Sequence, residues 1–225
     1  MLDVFHIAKP QNCDIQMFYG SGTTALSNTR SWSKPRGVSN IYMMLIGGGG
    51  NGDATTGGGS GAVTVWYGAA QNVPDQLMIT VGSSTTGGVT SQIRYLTTSS
   101  TFFTLLSATA GSNAGAGGAA MTANQFCASG FFQSIAGQSG ASGGPGASGT
   151  TFLSGGGGSA GTLTVNYGYS PGASGNRAGF FMLQPIIVGC GGLGDAPGGI
   201  GCGSGVNNNS PATPGGPGLV LIASW

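Results

Sequence analysis

Short apolar runs of strand length, separated by glycine-rich tracts, make up most of this chain. Several of them alternate apolar and polar residues with a period of two, and they favour Val, Ile, Thr and aromatic residues, which suit a pleated, half-buried surface. The glycine tracts leave little room for helices, because glycine inside a helix costs about 1 kcal/mol relative to alanine. The pattern predicts an all-β fold with strands at SNIYMMLI (39–46), AVTVWY (62–67), QLMITV (76–81), SQIRYL (91–96), TFFTLL (101–106), TLTVNY (162–167), FFML with PIIV (180–188) and LVLIASW (219–225).

One unit, a glycine tract followed by a strand, occurs twice. GGGSGAVTVWYG (57–68) returns as GGGSAGTLTVNYG (156–168), and each copy is followed by an apolar strand that ends in Val-Gly. Internal repeats of this kind indicate how a fold is built. We therefore predict a duplicated strand unit over 57–82 and 156–189, the alternative being a chance match within a restricted alphabet.

Between the two copies, many glycines recur at every third residue. An extended helix of the polyproline type has three residues per turn, so such glycines would line one edge of it. Ordered segments of this kind need neighbouring strands or chains, because fixing each backbone residue costs roughly 1 to 2 kcal/mol. We expect either such rods in a homotrimer or a disordered linker. The series runs through Gly137, Gly140, Gly143, Gly146, Gly149, Gly155, Gly158 and Gly161.

Charged residues are scarce, and this narrows the partners that the protein can have. Asp, Glu, Lys and Arg make up 5% of the chain, against about a quarter in ordinary globular domains. With a formal net charge of +1, the chain has no field that would attract nucleic acid. We also expect no membrane span, because no segment reaches the roughly 20 apolar residues that one needs.

Motifs of catalysis occur only in isolation. The pattern G-x-S-x-G appears around Ser142 and Ser159, but a serine nucleophile needs a base, and the single histidine, His6, is close to the first residue. Aspartates beside glycine or proline ordinarily serve turns. We therefore expect no enzyme activity, no cofactor and no metal site. The aspartates in such positions are Asp53, Asp75 and Asp195.

The four cysteines are too few and too far apart for a disulfide scaffold in a chain of this length. One pair, Cys190 with Cys202, could close a loop by a disulfide. The alternative is that all four thiols are free.

Aromatic residues beside glycine-rich loops are the candidate recognition surface. Exposed aromatic side chains commonly contact proteins and other ligands. The alternative is that these residues belong to the core. We expect Trp32, Trp66 and Trp225 to lie on strands as core or interface anchors. The candidate receptor contacts are Phe131, Phe132, Tyr169, Phe180 and Phe181.

Three segments carry a resemblance to a known group: WSKPRGVSNIYMMLIGGGGNG (32–52), GGGSGAVTVWYG (57–68) and PGGPGLVLIASW (214–225). Over residues 32–225 the chain resembles glycine-rich domain proteins of bacteriophage tail fibres and virion structural proteins. Its glycine pattern is also similar to that of polyglycine-containing long-tail-fibre adhesins. Those adhesins carry an N-terminal fibre-attachment domain and longer glycine motifs, so the second resemblance implies receptor binding only at the level of the group.

The leading hypothesis is a virion structural protein, assembled in the host cytoplasm, that forms a fibre, a spike or a capsid-surface component. It would be a homotrimer built from a glycine-rich, jelly-roll-like β-sandwich over residues 31–225. Residues 1–30 would form an N-terminal arm that docks onto other virion proteins. One alternative is a carbohydrate-binding module that attaches to a host surface glycan or protein, and another is a self-assembling extracellular fibre protein.

Overall fold

The computed structural model shows a protein built from β-strands. It describes residues 13–20, 29–52, 56–83, 89–97, 101–113, 115–140, 201, 203 and 215–225. Two short 3₁₀ turns, Ala70–Asn72 and Cys127–Ser129, accompany the strands in these residues. The strands are β1 (Asp14–Tyr19), β2 (Thr29–Ser33), β3 (Asn40–Ile46), β4 (Val63–Ala69), β5 (Gln76–Thr80), β6 (Ser91–Leu96), β7 (Phe102–Ala108), β8 (Gly130–Ile135) and β9 (Leu219–Ser224).

The described strands form two antiparallel sheets. The five-stranded sheet has the order β1-β9-β3-β4-β8, and the four-stranded sheet has the order β2-β5-β6-β7. The last strand, β9, returns between β1 and β3 and pairs with both of them. The all-β prediction is confirmed for the described residues.

A single apolar cluster lies between the two sheets and makes them a sandwich. Trp32 of β2 and Trp66 of β4 are fully buried in it, so of the two roles expected for them, core or interface, these tryptophans take the core. Side chains from facing strands interdigitate in such a layer. The buried members include Ile41, Met43 and Leu45 of β3, Leu77 and Ile79 of β5, Ile93 of β6, Leu106 of β7, and Val220 and Ile222 of β9.

The five-stranded sheet is also apolar on its outer face. A second cluster of buried side chains occupies β3, β4 and β9 there. A strand that is buried on both faces reads as a continuous apolar run, which explains the segments MMLI and LVLIA. The members of this cluster are Met44, Ile46, Val63, Val65, Leu219, Leu221 and Ala223.

Two described strands, β1 and β8, were not predicted from the sequence, and β2 was expected only as a strand around Trp32, without bounds. Strand β1 lies inside the 1–30 segment that we expect to dock onto a particle, and it pairs with β9 along its whole length. That docking role stays a prediction.

The first copy of the proposed duplication, 57–82, contains β4 and β5 in different sheets. The second copy, 156–189, lies outside the described residues, as do the strands predicted at 162–167 and 180–188.

Two glycines make room for the ring of Trp66. Gly68, two residues further along β4, pairs with Gly130 of β8. A Cβ atom on Gly68 would lie 2.5 Å from Trp66 Cζ2, and one on Gly130 would lie 2.9 Å from the same atom. The indole ring stacks on Phe126, with the ring centroids 4.6 Å apart. The short sequence Trp-Tyr-Gly thus places the ring and the gap that receives it on one strand.

We predict that Gly68→Ala lowers the free energy of unfolding by about 1 to 3 kcal/mol, because a methyl group would force a fully buried ring to move. Urea denaturation measures this change. Trp66→Phe removes the atoms that clash, so Gly68→Ala should cost clearly less in that background. Equal costs in the two backgrounds would contradict the packing argument, since residues in contact are expected to couple.

Candidate functional site

The two ends of the sandwich differ in chemistry, and we call them the glycine pole and the loop pole. The loop pole is the end that contains the turns at 34–39 and 70–75 and the far end of the β6–β7 hairpin. The glycine pole consists of the described parts of the segments that leave β3, β7 and β8 or enter β4 and β9, namely 47–52, 56–62, 109–113, 115–118, 136–140 and 215–218.

Backbone hydrogen bonds at the glycine pole recur at every third residue. Gly47 N–H donates to Ala62 O at 2.9 Å, and Gly50 N–H donates to Gly59 O at 2.8 Å. The two amides between them donate to two other parts of the chain. A β-strand returns its amides to the same neighbour at every second residue, so a recurrence at every third residue is not that of a β-ladder.

The neighbouring segment repeats this pattern on its other side. Gly59 N–H donates to Ser112 O at 3.0 Å, and Ala62 N–H donates to Thr109 O at 2.8 Å. The two amides between them again reach two further segments, both at 2.8 Å. Segment 59–62 therefore has bonded neighbours on several sides, as in a lattice of rods that lie side by side. A strand within a sheet has only two bonded neighbours.

A third pair of segments shows the same register. Gly137 N–H donates to Gly118 O and Gly140 N–H donates to Gly115 O, both at 2.8 Å. Gly137 and Gly140 open the series of three-spaced glycines in the sequence. The rest of that series lies outside the described residues, so its order stays a prediction.

Glycine is required at this pole because the backbones touch. A Cβ atom on Gly59 would collide with the carbonyl oxygen of Ala116, and one on Gly61 would collide with that of Gly47. Such contacts bring backbone donors and acceptors of several segments into hydrogen-bonding range, which buried polar backbone groups require. Other glycines whose Cβ would fall on backbone atoms are Gly50, Gly58, Gly111, Gly118, Gly137, Gly140, Gly203 and Gly215.

Lys34 organises the loop pole. Its Nζ atom donates to Val73 O at 2.7 Å and to Ala70 O at 3.2 Å, and it lies 2.8 Å from Asp75 Oδ1. The Asp75 side chain is 87% exposed, so the ion pair is screened by water and adds little stability. The two carbonyl bonds are better shielded, and they fix the turn at 70–75 against the turn at 34–39.

A shallow cavity of about 510 Å³ opens between these two turns. Its lining combines polar groups, among them Arg36, Gln71 and Asp75, with apolar atoms of Pro35 and Val38. Amide, carboxylate and guanidinium groups beside small apolar surfaces suit a ligand rich in hydroxyl groups.

The structure places two of the five candidate receptor contacts. Phe131 is 60% exposed on edge strand β8, whereas the neighbouring Phe132 packs against the core between the sheets. Phe131 pairs with Tyr67, whose ring stacks on Trp225 with a centroid distance of 5.8 Å. Phe131 therefore belongs to a surface group of aromatic residues. Tyr169, Phe180 and Phe181 lie outside the described residues.

The far end of the β6–β7 hairpin carries a second aromatic group, which we did not single out from the sequence. Leu96, Phe102 and Phe103 are exposed there. The Tyr95 and Phe103 rings lie 5.6 Å apart, and the Arg94 guanidinium lies 5.2 Å from the Phe102 ring centroid. The runs SQIRYL and TFFTLL already predicted both strands. Only the register between them shows that their aromatic ends coincide beyond the core.

Chemically reactive side chains are sparse in the described residues. They contain no group of three His, Cys, Asp or Glu side chains that could hold a metal ion. Cys127 is buried, and burial raises the pKa of its thiol, which keeps it protonated and a poor nucleophile. The candidate disulfide pair, Cys190 and Cys202, lies outside the described residues, as does His6. No helix in the described part of the chain is long and apolar enough to span a bilayer.

The fold and its two poles define an antiparallel β-sandwich with one end built from closely packed backbone. No protein-family model matches this sequence, and no curated protein matches it either. Any function must therefore be argued from the geometry.

We predict that Gly59→Ala destabilises the protein by at least about 1 to 3 kcal/mol, because the new methyl group would overlap a backbone carbonyl that cannot rotate away. The midpoint of urea denaturation, at an unchanged slope, measures the loss. Gly115→Ala at the same pole is the matched control. Its Cβ would have Asn113 O as its nearest neighbour, at 3.6 Å, and little change is expected. Equal losses at the two positions would show that backbone contact does not hold this pole together.

Proposed function

We propose that this chain is a virion structural protein of a bacteriophage or another virus, located in the particle as part of a fibre, a spike or the capsid surface. It acts by homo-oligomeric assembly, with a homotrimer expected and residues 1–30 docking onto other virion proteins. Its role is assembly and contact, and no bond-breaking step belongs to it. The observation that carries this proposal is the backbone lattice of the glycine pole.

The lattice supports a mechanical role because its contacts hold adjoining segments in a fixed register. Each described segment bonds to several neighbours, and side chains are missing where the segments touch. Hydrogen bonds that recur at every third residue and point in several directions support a polyglycine-type helix for these segments, which has three residues per turn. Such a framework has few reactive side chains, and its backbone forms hydrogen bonds in many directions.

The finer description of the fold as jelly-roll-like is also a proposal. It is supported by the return of β9 between β1 and β3, since a last strand that returns to lie beside the first is a Greek-key feature. The β3–β4 neighbourhood in the same sheet is an additional hairpin.

The low charge of the chain fits the same role. A surface with a net charge near zero does little to keep molecules apart, and a net charge of +1 over 225 residues is well suited to a subunit that is covered by its neighbours. The same reasoning extends to a self-assembling extracellular fibre protein, which differs only in where the chain is found.

The virion protein and the extracellular fibre protein differ in where the chain is found, so fractionation distinguishes them. Particles purified by density gradient from cultures that make this chain should contain it in a fixed ratio to the major capsid protein, as measured by quantitative mass spectrometry. A soluble host protein serves as the control for carry-over. Finding the chain only outside the particle fractions would contradict the virion role, and finding it in extracellular fibres would favour the alternative.

A second candidate function, carbohydrate-binding attachment to a host surface, is favoured by the exposure of Phe131 beside the Tyr67–Trp225 stack. An exposed aromatic ring suits the apolar face of a sugar ring. The cavity between the turns at 34–39 and 70–75 separately offers polar groups that can bind hydroxyls.

We predict that Phe131→Ala weakens binding to the best glycan on an array by about tenfold, which corresponds to the roughly 1.4 kcal/mol that one aromatic contact can supply. Phe103→Ala, which removes an equally large exposed ring from the hairpin end, is the matched control and should leave that affinity unchanged. An array without any bound glycan, or equal losses for the two variants, would count against the attachment role at this position.

A further inference from the structure

Among the described strands, four lie at the edges of the two sheets, and two of these are protected against pairing with another chain. Strand β7 is covered, because Asn124 Nδ2 donates to Thr104 O at 3.1 Å and to Leu105 O at 3.0 Å. Strand β2 carries Arg30 opposite Ile79, a core residue, so this charge lies on the core-facing side of an edge. Inward charges and covering segments are the devices by which proteins block unwanted sheet extension.

Strand β1 has no such protection in the described residues. Its sequence, DIQMFY, contains no lysine, arginine or proline, and no described strand pairs with its outer edge. Its burial alternates strictly, leaving Ile15, Met17 and Tyr19 exposed by 45 to 47%. These three side chains form one apolar row, in which the Tyr19 hydroxyl donates to Met17 Sδ at 3.7 Å.

The row on β1 continues an apolar surface that is buried further inside the sheet. Met17 pairs with Leu221 of β9, which in turn pairs with Met44 of β3. Leu221 and Met44 are only 1 to 2% exposed. Directly paired residues point to the same face of a sheet, so one apolar row crosses the sheet and reaches solvent only at β1.

The opposite edge of this sheet, β8, is less suited to extension. In the row that contains Met17, the β8 position is Gln133, an exposed polar residue paired with Val65. Phe131 is the one large exposed apolar side chain on that strand in the described residues. An added strand would find a polar residue at the middle of β8 and an apolar one at the middle of β1.

We propose that β1 is an assembly interface, where it pairs antiparallel with β1 of a second copy around a two-fold axis at Met17. This inference rests on the proposed function, since it supplies a contact for homo-oligomeric assembly. In this register Met17 faces Met17 and Ile15 faces Tyr19 of the second copy. It is the one register that matches all three exposed residues with one another, and a slip by one residue would place apolar side chains opposite the wrong face.

Charge is compatible with this pairing. Asp14, the one charged residue of β1, would lie opposite Gly20 of the second copy and not opposite another acid. Like charges placed directly opposite each other would weaken the pair, and this register avoids them. The two five-stranded sheets would then form one continuous sheet of ten strands.

The first test is molar mass by light scattering on the full chain. We expect Met17→Lys to halve the mass, from dimer to monomer or from a pair of trimers to single trimers, because it places a charge at the axis where the two copies meet. Ser31→Lys on β2, an exposed edge position in the other sheet, is the matched control and should leave the mass unchanged. Thermal melting checks that both variants remain folded.

The outcomes separate this inference from the proposed function. A wild-type oligomer whose mass survives Met17→Lys overturns the β1 interface and leaves homo-oligomeric assembly in place. A wild-type chain that is monomeric at every concentration overturns both.

Cross-linking tests the register without relying on a disruptive charge. In a Cys13→Ser background, Met17→Cys should form a disulfide-linked dimer on mild oxidation, because the two copies of this residue meet at the axis. Ile15→Cys is the control. Its copies would lie four residues apart along the paired strands, about 13 Å, which exceeds the roughly 7 Å limit for a disulfide between Cα atoms. Cross-linking at residue 15 but not at 17 would overturn the proposed register.

Discussion

Direct hydrogen bonding between backbones that have no side chains between them is the contact on which this structure depends. It fixes where β3, β4, β7, β8 and β9 begin or end, because the segments that join these strands all meet at the glycine pole. At many of the described glycines there, such as Gly59, Gly61 and Gly118, a Cβ would strike a neighbouring carbonyl or amide, whereas Gly115 has room for one. Order at that pole therefore comes from the many partners of each segment, which together offset the backbone entropy that glycine loses on folding.

The sandwich itself divides its surfaces unequally. The five-stranded sheet is apolar on both faces, whereas the four-stranded sheet directs Gln92, Arg94 and Thr104 away from the core, at half-buried positions. Such asymmetry gives the molecule one side suited to cohesion and one suited to solvent. The exposed rings of Phe131, Phe102 and Phe103 lie towards the loop pole, away from the packed backbone of the glycine pole.

Strands rich in β-branched and aromatic residues were predictable from their pattern, and the observed bounds of β3 to β7 and β9 agree with the predicted ones to within two residues. Strands β1 and β8 were not predicted, and for β2 only Trp32 was placed on a strand. TRSWS is mostly polar because β2 is an edge strand, and GFFQSI begins with a glycine that serves the ring of Trp66. DIQMFY alternates in the manner of a strand, but it lies in a segment that was interpreted as an arm. Phe131 and Phe132 were named alike as candidate contacts from their loop context, and only the structure shows that Phe131 is exposed whereas Phe132 packs against the core. The hairpin aromatics were not singled out, because their meeting depends on the β6–β7 register.

The amino-acid sequence by itself determined the all-β class, the core tryptophans and the three-residue spacing of glycines, because these follow from local propensity and periodicity. Tertiary structure alone decided which glycines touch, which strands become edges, and that the outer face of one sheet is as apolar as its inner face. The physical reason is that contact between backbones, like the exposure of an edge, is a relation between distant segments. A sequence pattern reflects the local preferences of each residue, whereas contacts between distant segments are seen only in the folded chain.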